Sequence, residues 1–141
     1  YKTNMPSRLR MATLYGIAAL NGNARISCNG NFSERLAGYF TLWGDGAGDF
    51  APLAHLFVDE VVQLGIDLGL PKDLCVKAPS DGMSGKTDED NLGFTYDELK
   101  KVYLGNKEGI AEEKVVKIQN RIKALEFKRK LLNIPCFVPE R

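Results

Sequence analysis

Residues 44–49 read Gly44-Asp45-Gly46-Ala47-Gly48-Asp49, a run of glycines punctuated by two carboxylates. Glycines let backbone N–H groups turn toward phosphate or ribose oxygens, while Asp45 and Asp49 can accept hydrogen bonds from hydroxyls or an amide. No Gly-Lys-Ser/Thr follows, so the run is not a Walker A loop, and it does not open a long dinucleotide-binding helix as GxGxxG would. By residue type it fits a ligand loop and a tight structural turn equally. Glu34 lies just after a strand-like stretch, where α/β folds present ligands. A carboxylate there can hold Mg²⁺ against nucleotide oxygens, or simply favour the dipole of an early helical turn. Arg8 and Arg10 are forks that could take a carboxylate or phosphate, or could stay solvated. Lys128-Arg129-Lys130 closes a long helical pattern, where cations complement the partial negative charge. The segment from Lys77 to Glu89, with Ser80 and Lys86, reads as a lid over phosphates or as a plain irregular loop.

The elements that must position these groups can be read from periodicity and breakers. Pro6 and Ser7 open a helix over 6–20, with proline in the first turn where its missing N–H costs nothing. Leu9, Thr13, Ile17 and Leu20 recur at helical spacing and predict a buried face, with Gly16 on it removing bulk. Asn21-Gly22-Asn23 stops that helix, and residues 24–28 read as a short strand. A turn over 29–34 leads to a short helix over 34–40. Pro52 starts another helix whose face carries Leu53, Phe57, Val61, Leu64 and Leu68, with Gly69 and Pro71 ending it. Residues 77–94 predict a long mobile loop, and 77–91 the most mobile internal stretch, because few apolar anchors oppose chain entropy. Helices over 95–104 and about 108–132 close the chain, the latter striped by Val115, Ile118, Ile122 and Leu125. One or two strands make a poor sheet, so the pattern is expected to continue an α/β domain whose other strands precede Tyr1.

Composition excludes several classes. The chain has 141 residues, 44% hydrophobic and 26% charged, and 19 basic against 18 acidic residues leave a net charge of +1. Nothing in that balance points to DNA, RNA or an anionic membrane. No apolar run approaches the roughly 20 residues of a spanning helix, which predicts a cytoplasmic protein. Cys28, Cys75 and Cys136 lie far apart without CxxC spacing and read as free structural thiols. His55 is the one histidine, so a histidine triad or multi-histidine metal site has nothing else to draw on; it reads as a helix-face residue.

In order and spacing, these signals carry a resemblance. Arg8-Leu9-Arg10-Met11 with Tyr15, then Asn29, Glu34, Gly38-Tyr39-Phe40-Thr41, Gly44-Asp45-Gly46 and Asp49 resemble the ammonia-dependent NAD⁺ synthetases. So do Pro52-Leu53, Leu68-Gly69-Leu70-Pro71, Ala78-Pro79-Ser80, Thr87-Asp88-Glu89, Leu92-Gly93 and Tyr96-Asp97, and the match runs from Asn4 to Lys130. The resemblance implies a homodimeric, Rossmann-like adenine-nucleotide α-hydrolase fold. It also implies a C–N ligase that adenylates the carboxylate of deamido-NAD⁺ with Mg²⁺ and ATP, then lets ammonia displace AMP. By position, it assigns Arg8, Asp49, Phe127 and Lys128 to deamido-NAD⁺, Asn29 and Ser80 to ATP, and Glu34 to Mg²⁺. Two positions depart from many relatives: Val58 and Leu42 stand where basic residues are common, and neither hydrocarbon can neutralise phosphate. The family's pyrophosphate loop, Ser-Gly-Gly-x-Asp-Ser, does not occur in these residues. The stretch is therefore expected to be the C-terminal part (1–141) of a single synthetase domain and inactive alone. A non-catalytic dinucleotide-binding paralogue is the alternative, and a ligase of the GMP synthetase type a more distant one.

Overall fold

The computed structural model describes residues 2–80, 82, 85–131 and 137–139. Among these the chain forms eight helices: α1 (Asn4–Leu20), α2 (Phe32–Ala37), α3 (Val58–Asp67), α4 (Lys72–Cys75), α5 (Asp88–Leu92), α6 (Tyr96–Tyr103), α7 (Glu112–Ala124) and α8 (Glu126–Leu131). No helix of the described residues is long and apolar enough to cross a membrane. The predicted strand over 24–28 reduces to one parallel bridge, Ser27 to Phe50. Cys28 N–H donates to the Phe50 carbonyl at 2.8 Å and Asp49 N–H to that of Ile26 at 2.7 Å. With no neighbouring strand on either side, those two bonds are all the ladder this segment makes among the described residues.

The core forms where α2, α6 and α7 meet. Leu36 and Ala37 of α2 pack with Phe57, Leu92, Phe94, Tyr96, Leu99, Val102, Val115 and Ile118, all buried. Tyr96, Phe57, Leu99 and Ile118 are its largest fully enclosed side chains. Lys114 of α7 pairs with Glu98 of α6 at 2.7 Å, and Lys100 of α6 pairs with Asp59 of α3 at 2.5 Å, fastening the rim. A smaller cluster of Cys28, Ala51 and Ala54 lies under the Gly/Asp loop.

Several boundaries and faces differ from those read in the sequence. On α1 the buried residues are Ser7, Met11 and Ala18, whereas Leu9, Ile17 and Leu20 are exposed. The inward stripe is Ser7, Met11 and Ala18, so the apolar pattern of Leu9, Ile17 and Leu20 marked the outward face. The short helix begins at Phe32, because Asn31 caps it, and ends at Ala37, because Gly38 turns left-handed. Pro52 does not start α3; residues 52–55 are turns, and Glu60 accepts the Phe57 N–H at 2.8 Å to fix the true start. His55 consequently sits in a turn, stacked on Phe32 with ring centroids 5.9 Å apart. The loop over 77–94 is ordered from Thr87 onward: Thr87 caps α5, and Asp88 and Leu92 are buried. Cys28 and Cys75 are free thiols as expected, while Cys136 lies outside the described residues.

The helix read over 108–132 is two helices. Leu125 breaks it with φ −104° and ψ 8°, and its side chain lies against Gly38. Residues 132–136 lie outside the description. Gly38 has φ 60°, and a Cβ there would meet Leu125 Cβ at 2.6 Å. Gly93 also has positive φ, 74°, but a Cβ there would meet only the flexible end of Lys117. Left-handed backbone costs a non-glycine residue about 1–2 kcal/mol, and overpacking adds about 1–3. Gly38→Ala is expected to lower unfolding free energy by roughly 2–4 kcal/mol, and Gly93→Ala by about 1 kcal/mol. Urea denaturation checks both, and equal losses would show that the Leu125 contact carries no weight.

Candidate active site

Glu34 stands where two clefts join. One, of about 510 Å³, is lined by residues from α1 (Asn4, Ser7, Arg10), the α2 corner (Tyr39, Phe40), Ser80, α5 (Asp88, Asn91) and Lys128 of α8. The other, of about 330 Å³, is lined by Met11, Ser27, Cys28, Asn29, Gly30, Arg35 and Gly46. Glu34, Phe40 and Asp45 border both. A ligand laid along this groove would span the Asn29 end and the Ser80–Lys128 end, with Glu34 between them.

Glu34 is placed by the cap of α2. Asn31 Oδ1 accepts the Glu34 N–H at 3.0 Å, and Glu34 Oε2 accepts the Asn31 N–H at 2.8 Å. This reciprocal pair satisfies two N–H groups that the first helical turn leaves open. Burial pushes the Glu34 carboxyl up to about 7; the Asn31 N–H opposes the rise, and the nearby Asp88 and Asp45 add to it. Negative charge crowded into a desolvated place is the condition a hard cation relieves. No group of three or more His, Cys, Asp or Glu able to hold a metal by itself exists among the described residues. Mg²⁺ does not need one, because it keeps several waters and binds through one or two carboxylates plus substrate phosphates. Glu34, with Asp45 nearby, fits that donor set.

The Gly/Asp loop is held by its own aspartates. Asp45 Oδ1 accepts Ser7 Oγ–H at 2.6 Å and the Thr41 N–H at 3.1 Å, while the Asp45 N–H donates to Ser7 Oγ at 3.0 Å. Asp49 Oδ2 accepts the Ile26 N–H at 2.7 Å. Gly48 lies so near the next segment that a Cβ would meet the Cys28 nitrogen at 2.7 Å. The tight-turn reading therefore accounts for the glycine and for one oxygen of each aspartate. Asp45 still borders both clefts; Asp49 borders neither.

The other assigned residues divide in the same way. Asn29 lines the smaller cleft, and its Oδ1 accepts Ser27 Oγ–H at 2.7 Å. Ser80 and Lys128 line the larger cleft. Lys128 Nζ donates to the Gly38 and Phe40 carbonyls at 2.9 and 2.6 Å and sits 4.8 Å from the Phe40 ring centre, leaving one ammonium donor for a ligand. Burial lowers its pKa, the Arg121 charge lowers it further, and Asp45 opposes both. Arg8 borders neither cleft; its Nε donates to the Leu42 carbonyl at 3.1 Å, while Arg10 lines the larger cleft and Arg35 the smaller. Phe127 is half exposed and borders neither.

Sequence reasoning gave no role to Ser7, Asp88, Asn91 or Tyr96. Tyr96 O–H donates to Asp88 Oδ2 at 3.0 Å, and burial together with the Asp88 charge pushes the phenol upward, so it remains a donor. Asn91 Nδ2 donates to the Tyr39 hydroxyl at 2.9 Å. The first link ties α5 to α6, and the second ties α5 to the α2 corner. The Thr87-Asp88-Glu89 run was the available signal, with threonine at a cap position before acidic first-turn residues.

A family model for NAD synthase matches residues 1–132, and the chain belongs to that family. It is 38% identical to the NH3-dependent NAD⁺ synthetase of Pyrococcus furiosus over 141 aligned residues, covering 91% of this chain and 54% of that protein. Against the Carboxydothermus hydrogenoformans enzyme of the same name it is 46% identical over 110 residues, 77% of this chain and 44% of that one. Among solved structures, NMN synthetase from Francisella tularensis superposes with a TM-score of 0.76 at 34% identity, over 99% of this chain and 56% of that one. The Campylobacter jejuni NH3-dependent NAD synthetase, solved with nitrate, gives 0.67 at 28% identity, over 98% and 53%. The fold is thus that of the NAD synthetases, the adenine-nucleotide α-hydrolase type, seen here in its helical part. The chain spans about half the length of the curated relatives it matches.

Glu34 titrates near 4.5 when unfolded and about 7 in the folded chain, so between those values the folded state holds the extra proton. Stability contributed by the neutral carboxyl is therefore present at low pH and falls as pH rises from about 4.5 to 7, by at most about 3 kcal/mol. Glu34→Gln keeps an acceptor for the Asn31 N–H but cannot ionise. It is expected to match the unsubstituted protein at pH 5 and to exceed it by about 1–3 kcal/mol at pH 8 without ligands. Urea titrations at the two pH values measure this, and parallel loss in both proteins would place the titrating group elsewhere.

Proposed function

We propose that this chain forms part of an ammonia-dependent NAD⁺ synthetase, a C–N ligase that amidates deamido-NAD⁺ in NAD⁺ biosynthesis. The observation that supports it best is the position of Glu34 between a cleft bearing Asn29 and a cleft bearing Ser80 and Lys128. In this reading, Asn29 and Ser80 bind ATP, and Lys128 with Arg8, Asp49 and Phe127 binds deamido-NAD⁺. The substrate carboxylate attacks the α-phosphorus of ATP, and pyrophosphate leaves. Ammonia then adds to the acyl carbon, AMP departs, and the nitrogen's surplus proton passes to solvent or a neighbouring base. Mg²⁺, held through Glu34, would supply positive charge against the polyphosphate. Lys128 would orient an anionic part of the substrate through its remaining donor. The half-buried groove would shield the acyl adenylate from water. The remaining length typical of the relatives would supply the pyrophosphate loop that these 141 residues lack.

Kinetics of the full-length protein test this. The unsubstituted enzyme is expected to form NAD⁺ from deamido-NAD⁺, ATP and ammonia, with AMP and pyrophosphate in equal amounts. Glu34→Gln is expected to raise KM for Mg-ATP roughly 10- to 100-fold while leaving KM for deamido-NAD⁺ within about twofold. Equal losses for both substrates would make Glu34 a purely structural residue. A mononucleotide substrate is the second reading: Arg8, Asp49 and Phe127 lie outside both clefts, and the Francisella protein is called NMN synthetase. Nicotinate mononucleotide assayed beside deamido-NAD⁺ separates the two, since the better substrate has the higher kcat/KM.

We also infer a symmetric homodimer, supported by the outward face of α1. Met5, Leu9, Leu14, Ile17 and Leu20 are exposed along one helix, more apolar surface than a monomer usually leaves in water. A two-fold interface is self-complementary, so such a face can meet its own copy. Sedimentation at micromolar concentration is expected to give a dimer, and Leu9→Asp with Ile17→Asp a monomer. A monomeric unsubstituted protein would exclude this interface.

A further inference from the structure

The carbonyl end of α2 is closed by three cations from the remote α7–α8 segment. Arg121 Nε donates to the Ala37 carbonyl at 2.7 Å, and Arg129 Nη1 to that of Leu36 at 3.1 Å. Arg129 Nη2 turns back to the Ile122 carbonyl on α7 at 3.1 Å, so its fork bridges the two helices. Lys128 takes the next carbonyls, Gly38 and Phe40. These donors lie 84 to 93 residues from their acceptors along the chain. Among the described residues none of the three forms an ion pair with a carboxylate; their charge is spent on backbone oxygens. The break at Leu125 makes the arrangement possible, because it turns α8 so that Lys128 and Arg129 reach the same end as Arg121.

We propose that Arg121 and Arg129 are positioning residues, which hold α2 in the one orientation that presents Glu34 to the junction of the two clefts. This rests on the reading of Glu34 given under Proposed function. A helix of six residues has too few internal bonds to fix its own axis, so what grips its ends decides where its side chains point. Its N-terminal grip uses Glu34 itself. The C-terminal grip does not draw on the functional carboxylate, and there the arginines hold the Leu36 and Ala37 carbonyls while Lys128 holds those of Gly38 and Phe40. Their guanidinium groups present donors in a fixed fork geometry.

The test uses full-length protein with Arg121→Met, Arg129→Met and Arg129→Lys. Amide exchange should quicken at least about tenfold over residues 33–38 in the methionine variants, with α6 unchanged. The KM for Mg-ATP should rise roughly 10- to 100-fold, as for loss of the Glu34 carboxylate, while KM for deamido-NAD⁺ holds within about twofold. Arg129→Lys should recover only part, because one ammonium cannot bridge Leu36 and Ile122. In a Glu34→Gln background, Arg129→Met should cost little more, since both changes act through one side chain. Unchanged exchange over 33–38, or full additivity in the double variant, would overturn the proposal. If Glu34→Gln leaves Mg-ATP use intact, the metal-ligand reading fails, and the exchange measurement alone still decides whether the arginines hold α2.

Discussion

A six-residue helix cannot hold itself in water, and this fold places one at its centre. Nucleating a helix fixes several residues for a single hydrogen bond, so α2 depends on what meets its two ends and its buried side. Its side is met by the core: Ser33, Leu36 and Ala37 are enclosed, and Ser33 Oγ accepts the Val58 N–H at 3.1 Å. Its first turn is met by the Asn31–Glu34 pair, and its last by cations of α7 and α8. Because both neighbours of the site, the Asn29 segment before it and the Phe40–Asp45 loop after it, are continuous with α2, fixing this helix fixes both clefts.

Charge is distributed across the groove in a way that needs a ligand to balance it. Glu34, Asp45 and Asp88 interact on one side, raising the Glu34 carboxyl. Arg10 and Lys128 border the larger cleft, and burial and Arg121 lower the Lys128 ammonium. Both shifts disfavour the charged forms, which is the electrostatic signature of groups kept from water until a partner arrives. On the proposed function, a polyphosphate with its cation would answer both at once, the anion toward the basic side and the cation toward the acids. This complementarity sits at the interaction level, and the family relationship only supplies the ligand's name.

What the sequence disclosed follows from locality. Helix stops at Asn21-Gly22 and Gly69-Pro71 depend on residues within one turn, and they stand where the breakers put them, whereas the equally local Thr87 cap of α5 lay inside a stretch read as loop. Glu34 was legible because its carboxylate follows a turn in a recognisable run. The face of α1 was not, because an apolar stripe says only that something covers it, and the covering surface is not among the described residues. The C-terminal helix misled for the opposite reason: its periodicity is unbroken through Leu125, and only the contact with Gly38, far away in sequence, turns it. Long-range partners such as Ser7 with Asp45 leave no periodic trace. Roles assigned by resemblance placed Asn29, Glu34, Ser80 and Lys128 on the clefts but left Arg8, Asp49 and Phe127 beside them.

The double duty of Glu34 links ligand chemistry to helix stability. One oxygen already accepts the Asn31 N–H, and in the neutral carboxyl that bond is an ordinary one. On the proposed reading, a cation at the other oxygen would favour the charged carboxylate, and a charged acceptor makes a shorter bond roughly twice as strong. Binding at the cleft would then tighten the first turn of α2, and the carboxylate's charge would also favour the positive end of the helix. The cost of burying a carboxylate in the ligand-free state is thus recovered as order in the bound state. Replacing Glu34 by a neutral acceptor would keep the cap yet sever this link, since an amide holds the helix equally well with or without a cation.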